Sequence, residues 1–435
     1  MSQDSHLEKI CGIVHRYRPD LASFEAAYHE IHQNADLSTQ ENYTANYVES
    51  FLSNLEFRVI SRIGGTGVAG VLSNGDGETV LLRAELDGLP IEEATQVPYA
   101  STKRMLDAWG REQPTMHACG HDLHMVCLMA SATLLKNAMD QWKGTLVVVF
   151  QPNEEHTGGA KAMLDDGLYD CVPIPDVVLA QHSGPFKAGT LNIRGGPVLV
   201  SADTVRINLF STRGFDANPQ VNIDPVKLAS HIILKLDGLA KEVAGDEYAS
   251  ISVNEIHAGH PGQDWVSHVN LTLDVKTYNP DIRQDLLERI RRGVIEASVG
   301  AGVTIPPEIT CSVRAPLTNN SHTHAEALRK SFIQFFGECN IGDDIPKHPC
   351  EDFSRLATVH GRPYVFWFFG REEPRRYEEA IQQDKFLDKI PLNHSPFNLP
   401  QLQPSLQVGA DALSLAALRF FLEGEQDFHI DDQKP

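Results

Sequence analysis

Met116-His117-Ala118-Cys119-Gly120-His121-Asp122-Leu123-His124-Met125 packs three histidines, a cysteine and an aspartate into ten residues. Neutral imidazole and thiolate are the strongest protein ligands for borderline transition metals such as zinc. Gly120 keeps the turn between them tight and lets backbone approach an ion. From Leu123 an apolar run of helical character continues to about Met139. The cluster therefore reads as a loop feeding a helix N-terminus. A buried cysteine among surface histidines is the plainer alternative, and four such groups within eight residues weigh against it.

The flanking segments supply buried strands. Thr79-Val-Leu-Leu-Arg-Ala84 is continuously apolar but for Arg83, suited to a sheet covered on both faces, and it runs into Glu85-Leu86-Asp87. Gly144 to Phe150 is a second such strand and delivers Gln151-Pro152-Asn153-Glu154-Glu155. Asp176 to Ala180 is a third and ends in Gln181-His182-Ser183. Open α/β sheets put their sites just beyond the carboxyl ends of such strands, so the three ends converge on one place. Upstream, helices are expected over about Asp20 to Gln33 and Thr44 to Leu55. Gly64-Gly65-Thr66-Gly67 and Ser73-Asn74-Gly75-Asp76-Gly77 punctuate two further strands.

Beyond Gly196-Pro197 the pattern changes to strand (Val205 to Phe210), helix (Asp224 to Leu239), two alternating strands (Ala249 to Ile256, Val269 to Val275), helix (Ile282 to Ser298) and strand (Ile309 to Val313). That βαββαβ order is a split-βαβ sandwich. The expected fold is α/β: a metal-binding domain, sheet between helices, of residues 1–197 and 315–435, with an inserted α+β domain of residues 198–314. The return half carries a helix near Ala325 to Phe336, the aromatic strand Pro363 to Phe369, a charged stretch over 371–391, Asn393-His394-Ser395-Pro396 and a last helix from about Gly409 to Phe421.

The chain has 435 residues, enough for two compact units, with 42% hydrophobic and 22% charged residues. Its 37 basic and 58 acidic residues give a net charge of −21, which argues against nucleic acid or an anionic membrane as the partner. The N-terminus lacks the basic and apolar regions of a secretory signal, and no apolar run is read as reaching the ~20 residues of a membrane span. Seven scattered cysteines fit a reducing compartment better than a disulfide framework, so a soluble, cytoplasmic protein is expected.

Taken with Ile63-Gly-Gly-Thr-Gly-Val68, Leu82-Arg-Ala-Glu-Leu-Asp-Gly-Leu-Pro-Ile-Glu-Glu93, Phe150-Gln-Pro-Asn-Glu-Glu155, Glu351-Asp-Phe-Ser354 and His394-Ser-Pro-Phe397, the central motif resembles the amidohydrolase branch of the aminoacylase/carboxypeptidase metallopeptidase family. That branch includes hippurate hydrolases and indole-acetyl-amino-acid hydrolases. The resemblance runs over nearly the whole chain. It implies a two-metal catalytic domain with an inserted lid, a small N-acyl amino acid or amide as substrate, and a homodimer formed through the lid. Carried over by motif, Cys119, His121, Glu155, His182 and His394 would be the metal ligands and Glu154 the general base and acid. Asp87 would orient a ligand histidine. His117 and His124 fall outside that ligand set. Two divalent ions ~3.5–4 Å apart can share a water and lower its pKa. Cysteine with histidine suits zinc, and the same ligands accept manganese, cobalt or nickel.

The lid departs from the family pattern. Where the family has Gly-Gly-His-Gly-Ala, this chain has Arg213-Gly214-Phe215-Asp216-Ala217, and Gln220 replaces a second histidine. Gln263-Asp264-Trp265-Val266 stands where the family has Asn-Val-Ile-Pro. Loss of an oxyanion donor costs roughly 3–4 kcal/mol. Three readings follow: an amidohydrolase of unusual substrate, its carbonyl polarised by metal alone or by Arg213, His257, His260 or His268; the same fold recruited to another acyl-transfer or amide-forming step; or a non-catalytic metal- or ligand-binding protein. Retention of Glu154 speaks against the last. Phe215 and Trp265 suit a bulky, apolar acyl group.

Overall fold

The computed structural model describes residues 3–211, 223–260, 262, 266–346 and 348–423. Arg213, Phe215, Asp216, Ala217, Gln220, Gln263, Asp264 and Trp265 lie outside the described residues. The chain forms two compact units, one of Met1–Val198, Asn319–Lys347 and Asp352–Pro435, the other of Leu199–Thr318 with His348–Glu351.

The first unit is built on an eight-stranded mixed sheet, in the order Arg58–Ile63, Gly67–Ser73, Thr145–Gln151, Thr79–Glu85, Val177–Lys187, Tyr364–Glu372, Leu191–Asn192, Ile341–Gly342. Its middle four strands are mutually parallel. Their apolar runs follow from that position, since a parallel strand is covered on both faces. Val80, Leu82 and Ala84, with Leu146, Val148 and Phe150, join one core with the helices His121–Asn137 and Leu402–Glu423. Leu81, Val147 and Val149, at the alternate positions, are buried outside that cluster. Ser414 donates to Ser131 at 2.9 Å, pinning the two helices in their buried faces.

Several boundaries differ from expectation. A helix over Gln3–Tyr17 precedes the first one expected, and Ile10, Ile13 and Val14 are its buried stripe. The third strand does not end at Ala180 but runs to Lys187, because Tyr364–Glu372 continues to pair with it after Thr79–Glu85 has stopped at Arg83. His182 thus sits inside a strand, just past the edge of its shorter neighbour. Leu402–Leu422 is 21 residues long and apolar enough to cross a membrane by length and composition, contrary to the expectation of no such run. It is 89% buried within the core, which explains its apolarity without a membrane.

The second unit holds a four-stranded antiparallel sheet, ordered Ala249–Ala258, His268–Thr277, Ser201–Phe210, Glu308–Ala315. Helices Pro225–Leu236 and Pro280–Gly300 contribute Leu228, Ile232, Leu286, Ile290 and Val294 to its core. Asp224 and Asn279 cap these helices through their side chains, each followed by a proline at the first turn. The first helix stops at Leu236, short of the expected Leu239; Gly238 turns left-handed at φ 78° and a second short helix, Leu239–Ala244, follows.

Candidate metal centre

Gly120 decides how the motif turns. Its φ of 90° is left-handed, and a Cβ there would meet Ser183 Oγ at 2.5 Å. The tight turn puts Cys119 before the helix and His121 in its first turn, both buried. Asn153 and His394 also take left-handed backbone, at φ 53° and 67°, in the loops that carry Glu154-Glu155 and His394.

These loops bring the expected residues together within the first unit. Cys119 Sγ lies 3.5 Å from His182 Nε2. His394 Nε2 is 3.2 Å from Glu155 Oε2. His121 Nε2 is 3.7 Å from Glu154 Oε2 and 3.9 Å from Glu155 Oε1. The donor atoms of Cys119, Glu155 and His394 fall within 4.8 Å of one another, and so do those of His121, Glu154 and Glu155. Glu155 belongs to both groups.

Neighbouring bonds settle which ring nitrogens are free. His121 Nδ1 donates to the Asp87 carbonyl at 2.8 Å, and His182 Nδ1 donates to the Ser183 carbonyl at 2.8 Å. Each ring therefore turns Nε2 inward as a lone-pair donor. His121 Nε2 and Glu155 Oε1 are buried without a hydrogen-bond partner. Buried polar atoms are rarely left so, and a cation between them satisfies both. Sulfur, imidazole and carboxylate donors in one pocket fit divalent transition metals.

Charge tells the same story. Burial alone raises the Cys119 thiol, but His182, with His121 and His394, holds it well below the ordinary thiol range. Burial and the Cys119 charge push the Glu155 carboxyl up to about 7. Bonds to Cys119 and Glu155 lift His394 to about 10. The Cys119 thiolate makes the pocket anionic, and a metal bound there would displace the protons that Glu155 and His394 hold.

His124 packs beside the cluster but has no free nitrogen: Nδ1 donates to Glu85 Oε2 at 2.8 Å, and Nε2 accepts the Ser183 main-chain N–H at 2.8 Å. His117 is buried and outside every cluster of candidate ligands among the described residues. In the second unit, His257 lies on the exposed Ala249–Ala258 strand and His268 bonds Ser267 at 3.0 Å.

Other residues of the site were not anticipated. Glu41 accepts the Asn153 main-chain N–H at 2.8 Å and the Thr66 hydroxyl, bracing the loop before Glu154. Arg83, fully inside the sheet, bonds Gln151 at 2.9 Å and pairs with Glu85. Asp352 accepts Gln151 Nε2 at 2.6 Å and the Ala160 N–H at 2.9 Å. Arg371 reaches Asn393 at 2.6 Å beside His394. A lone arginine in an otherwise apolar run was the available signal for Arg83; Arg371 opens the charged stretch over 371–391 and carried no such signal, and neither did Glu41.

Comparison with known proteins gives the family. Residues 81–389 match the profile of peptidase family M20/M25/M40. A hippurate hydrolase of Campylobacter jejuni is 31% identical over 350 residues, spanning 79% of this chain and 87% of its own length. An IAA-amino acid hydrolase ILR1-like protein of Arabidopsis thaliana is 28% identical over 409 residues, spanning 93% and 82%. Among solved structures, an aminohydrolase described from methicillin-resistant Staphylococcus aureus superposes with a TM-score of 0.79 at 23% identity, covering 95% of this chain and 99% of that one. A dinuclear metal-binding peptidase from Bacillus subtilis superposes with a TM-score of 0.71 at 23% identity, covering 92% and 98%. The chain is a hydrolase belonging to peptidase family M20/M25/M40.

Proposed function

We propose that this enzyme hydrolyses the amide bond of an N-acyl amino acid or a related small amide, with Cys119, His121, Glu155, His182 and His394 holding two divalent metal ions. The observation that carries the reading is the pair of orphaned buried atoms, His121 Nε2 and Glu155 Oε1, with the Glu154 carboxylate beside them. Relatives named for hippurate, N-acetylcysteine and IAA-amino acids support the substrate class. The ions, zinc or manganese by donor chemistry, supply Lewis acidity to a carbonyl and acidify water when bound.

The protein's own groups do the rest. Glu154 accepts the proton of the attacking water and passes it to the leaving nitrogen as the C–N bond breaks. The water oxygen stays on the acyl carbon, and the products are a carboxylic acid and a free amine. Asp87 holds His121 by its carbonyl and Glu155 by its carboxylate, so the two sides of the centre stay in register. Phe215 and Trp265 in place of the usual lid residues favour a bulky, apolar acyl group. The exposed edge strand Ala249–Ala258, with Val253 and Ile256 open to solvent, supports a homodimer through the lid. Seven unpaired cysteines support a cytoplasmic, reducing setting, and the charge of −21 supports a small-molecule partner over nucleic acid.

The test is release of free amine from a panel of N-acyl amino acids, with metal-loaded wild type beside Glu154→Gln. Turnover that falls by roughly 100-fold or more in a variant still binding two metals supports the reading. Equal turnover in both proteins, or none from folded, metal-loaded wild type, overturns it.

A further inference from the structure

Arg371 is 1% exposed, and no part of the hydrolytic scheme above uses it. Its Nη1 donates to Asn393 Oδ1 at 2.6 Å and lies 3.5 Å from the Ser183 carbonyl. Its Nη2 donates to the Pro391 carbonyl at 2.8 Å, and Nε faces Glu372 Oε1 at 3.4 Å. A guanidinium has donors only. Asn393 must therefore give its oxygen to Arg371, which leaves its NH2 one place to point. That NH2 lies 3.4 Å from Cys119 Sγ and 3.3 Å from the Cys119 carbonyl.

The same guanidinium braces the rest of the centre. The Ser183 carbonyl it approaches is the one that fixes the His182 ring. The Pro391–Asn393 segment it holds leads directly into His394, whose N–H donates to the Ala118 carbonyl at 2.9 Å. Asn398 donates to that carbonyl at 2.6 Å.

We propose that Arg371 and Asn393 are positioning residues of the thiolate: Arg371 fixes the Asn393 amide so that its N–H donates to Cys119 Sγ and moderates the charge that sulfur gives to a metal. This rests on the reading of Cys119 as a ligand. A hydrogen bond to a thiolate lowers the energy of its donor electrons and fixes its direction, and loss of such supporting partners costs about 10–100-fold in metal affinity.

The experiment loads wild type, Asn393→Asp, Asn393→Leu and Arg371→Lys with cobalt(II) alone. It reads the thiolate-to-cobalt charge-transfer band and the cobalt affinity by chelator competition. Asn393→Asp keeps a carbonyl-type oxygen for Arg371 and so keeps the loop, but it removes the donor facing sulfur. The expected result is a band in wild type that moves to longer wavelength in all three variants, with affinity about 10–100-fold weaker in Arg371→Lys. A wild-type band that stays in place in Asn393→Asp overturns the proposal and leaves Cys119 a ligand. A wild type with no such band overturns the ligand reading and the proposal with it.

Discussion

Asp87 joins the two halves of the candidate metal centre: its carboxylate accepts the Glu155 main-chain N–H at 3.0 Å, and its own carbonyl accepts the His121 Nδ1–H at 2.8 Å. Ser38 completes the arrangement by donating to the same carboxylate oxygen at 2.7 Å. Burial disfavours this charge, but His121, Ser38 and Glu155 together hold the Asp87 carboxyl below its ordinary range.

Asp87→Ala should therefore loosen the metals before it loosens the fold. The Glu155 N–H and the Ser38 hydroxyl lose their acceptor, at about 1–3 kcal/mol for a buried donor left unpaired. Metal affinity should fall about 10–100-fold, read by chelator competition. Unchanged affinity would show that Asp87 does not orient the ligands.

Gly120→Ala strains a left-handed φ of 90° and drives a methyl against Ser183 Oγ. The backbone term alone is about 1–2 kcal/mol. Because Cys119 and His121 flank the position, bound metal per chain should drop together with the melting temperature. Calorimetry and elemental analysis read the two quantities. A variant with wild-type values for both would mean the turn relaxes freely.

His32 gives a pH signature away from the metals. Its ring spans Asp122 Oδ2 at 2.6 Å and Glu93 Oε1 at 3.0 Å. Burial opposes its charge, but the two carboxylates outweigh it and raise the pKa from 6.5 to about 9. A raised pKa stabilises the fold fully below about 6.5, and that contribution disappears as pH rises through about 9. The stability gap between wild type and His32→Gln should be widest near pH 6 and shrink by about 3 kcal/mol toward high pH. Urea unfolding at several pH values measures it, and a gap that widens with pH contradicts the assignment.

Chelation should lower the melting temperature and abolish turnover together, since a metal bound only by the folded chain stabilises it by about 2.7 kcal/mol at a hundred times its dissociation constant. Readdition of zinc, manganese or cobalt should restore both. Full turnover by metal-free protein would remove the metals from the mechanism.

Much of the fold was legible along the chain because the signals are local. Val80–Leu82 and Leu146–Phe150, inside the strands Thr79–Glu85 and Thr145–Gln151, are apolar throughout since each strand is covered on both faces, and the glycines around them mark their ends. The ligand types were legible for a related reason: Cys119-Gly120-His121 and Glu154-Glu155 are contiguous, so one turn and one loop hold most of the candidate donors. Tertiary structure decided what depends on segments far apart in sequence. Only the pairing of Val177–Lys187 with Tyr364–Glu372 carries His182 into the middle of a strand. Only the packing of Leu402–Leu422 into the core distinguishes it from a membrane span of the same composition. The bonds that free His121 Nε2, commit both nitrogens of His124, and turn the Asn393 amide toward Cys119 come from Asp87, Glu85, Ser183 and Arg371. Composition and spacing determine which side chains can bind a metal, while a hydrogen bond across the fold determines which of their lone pairs is left to do it.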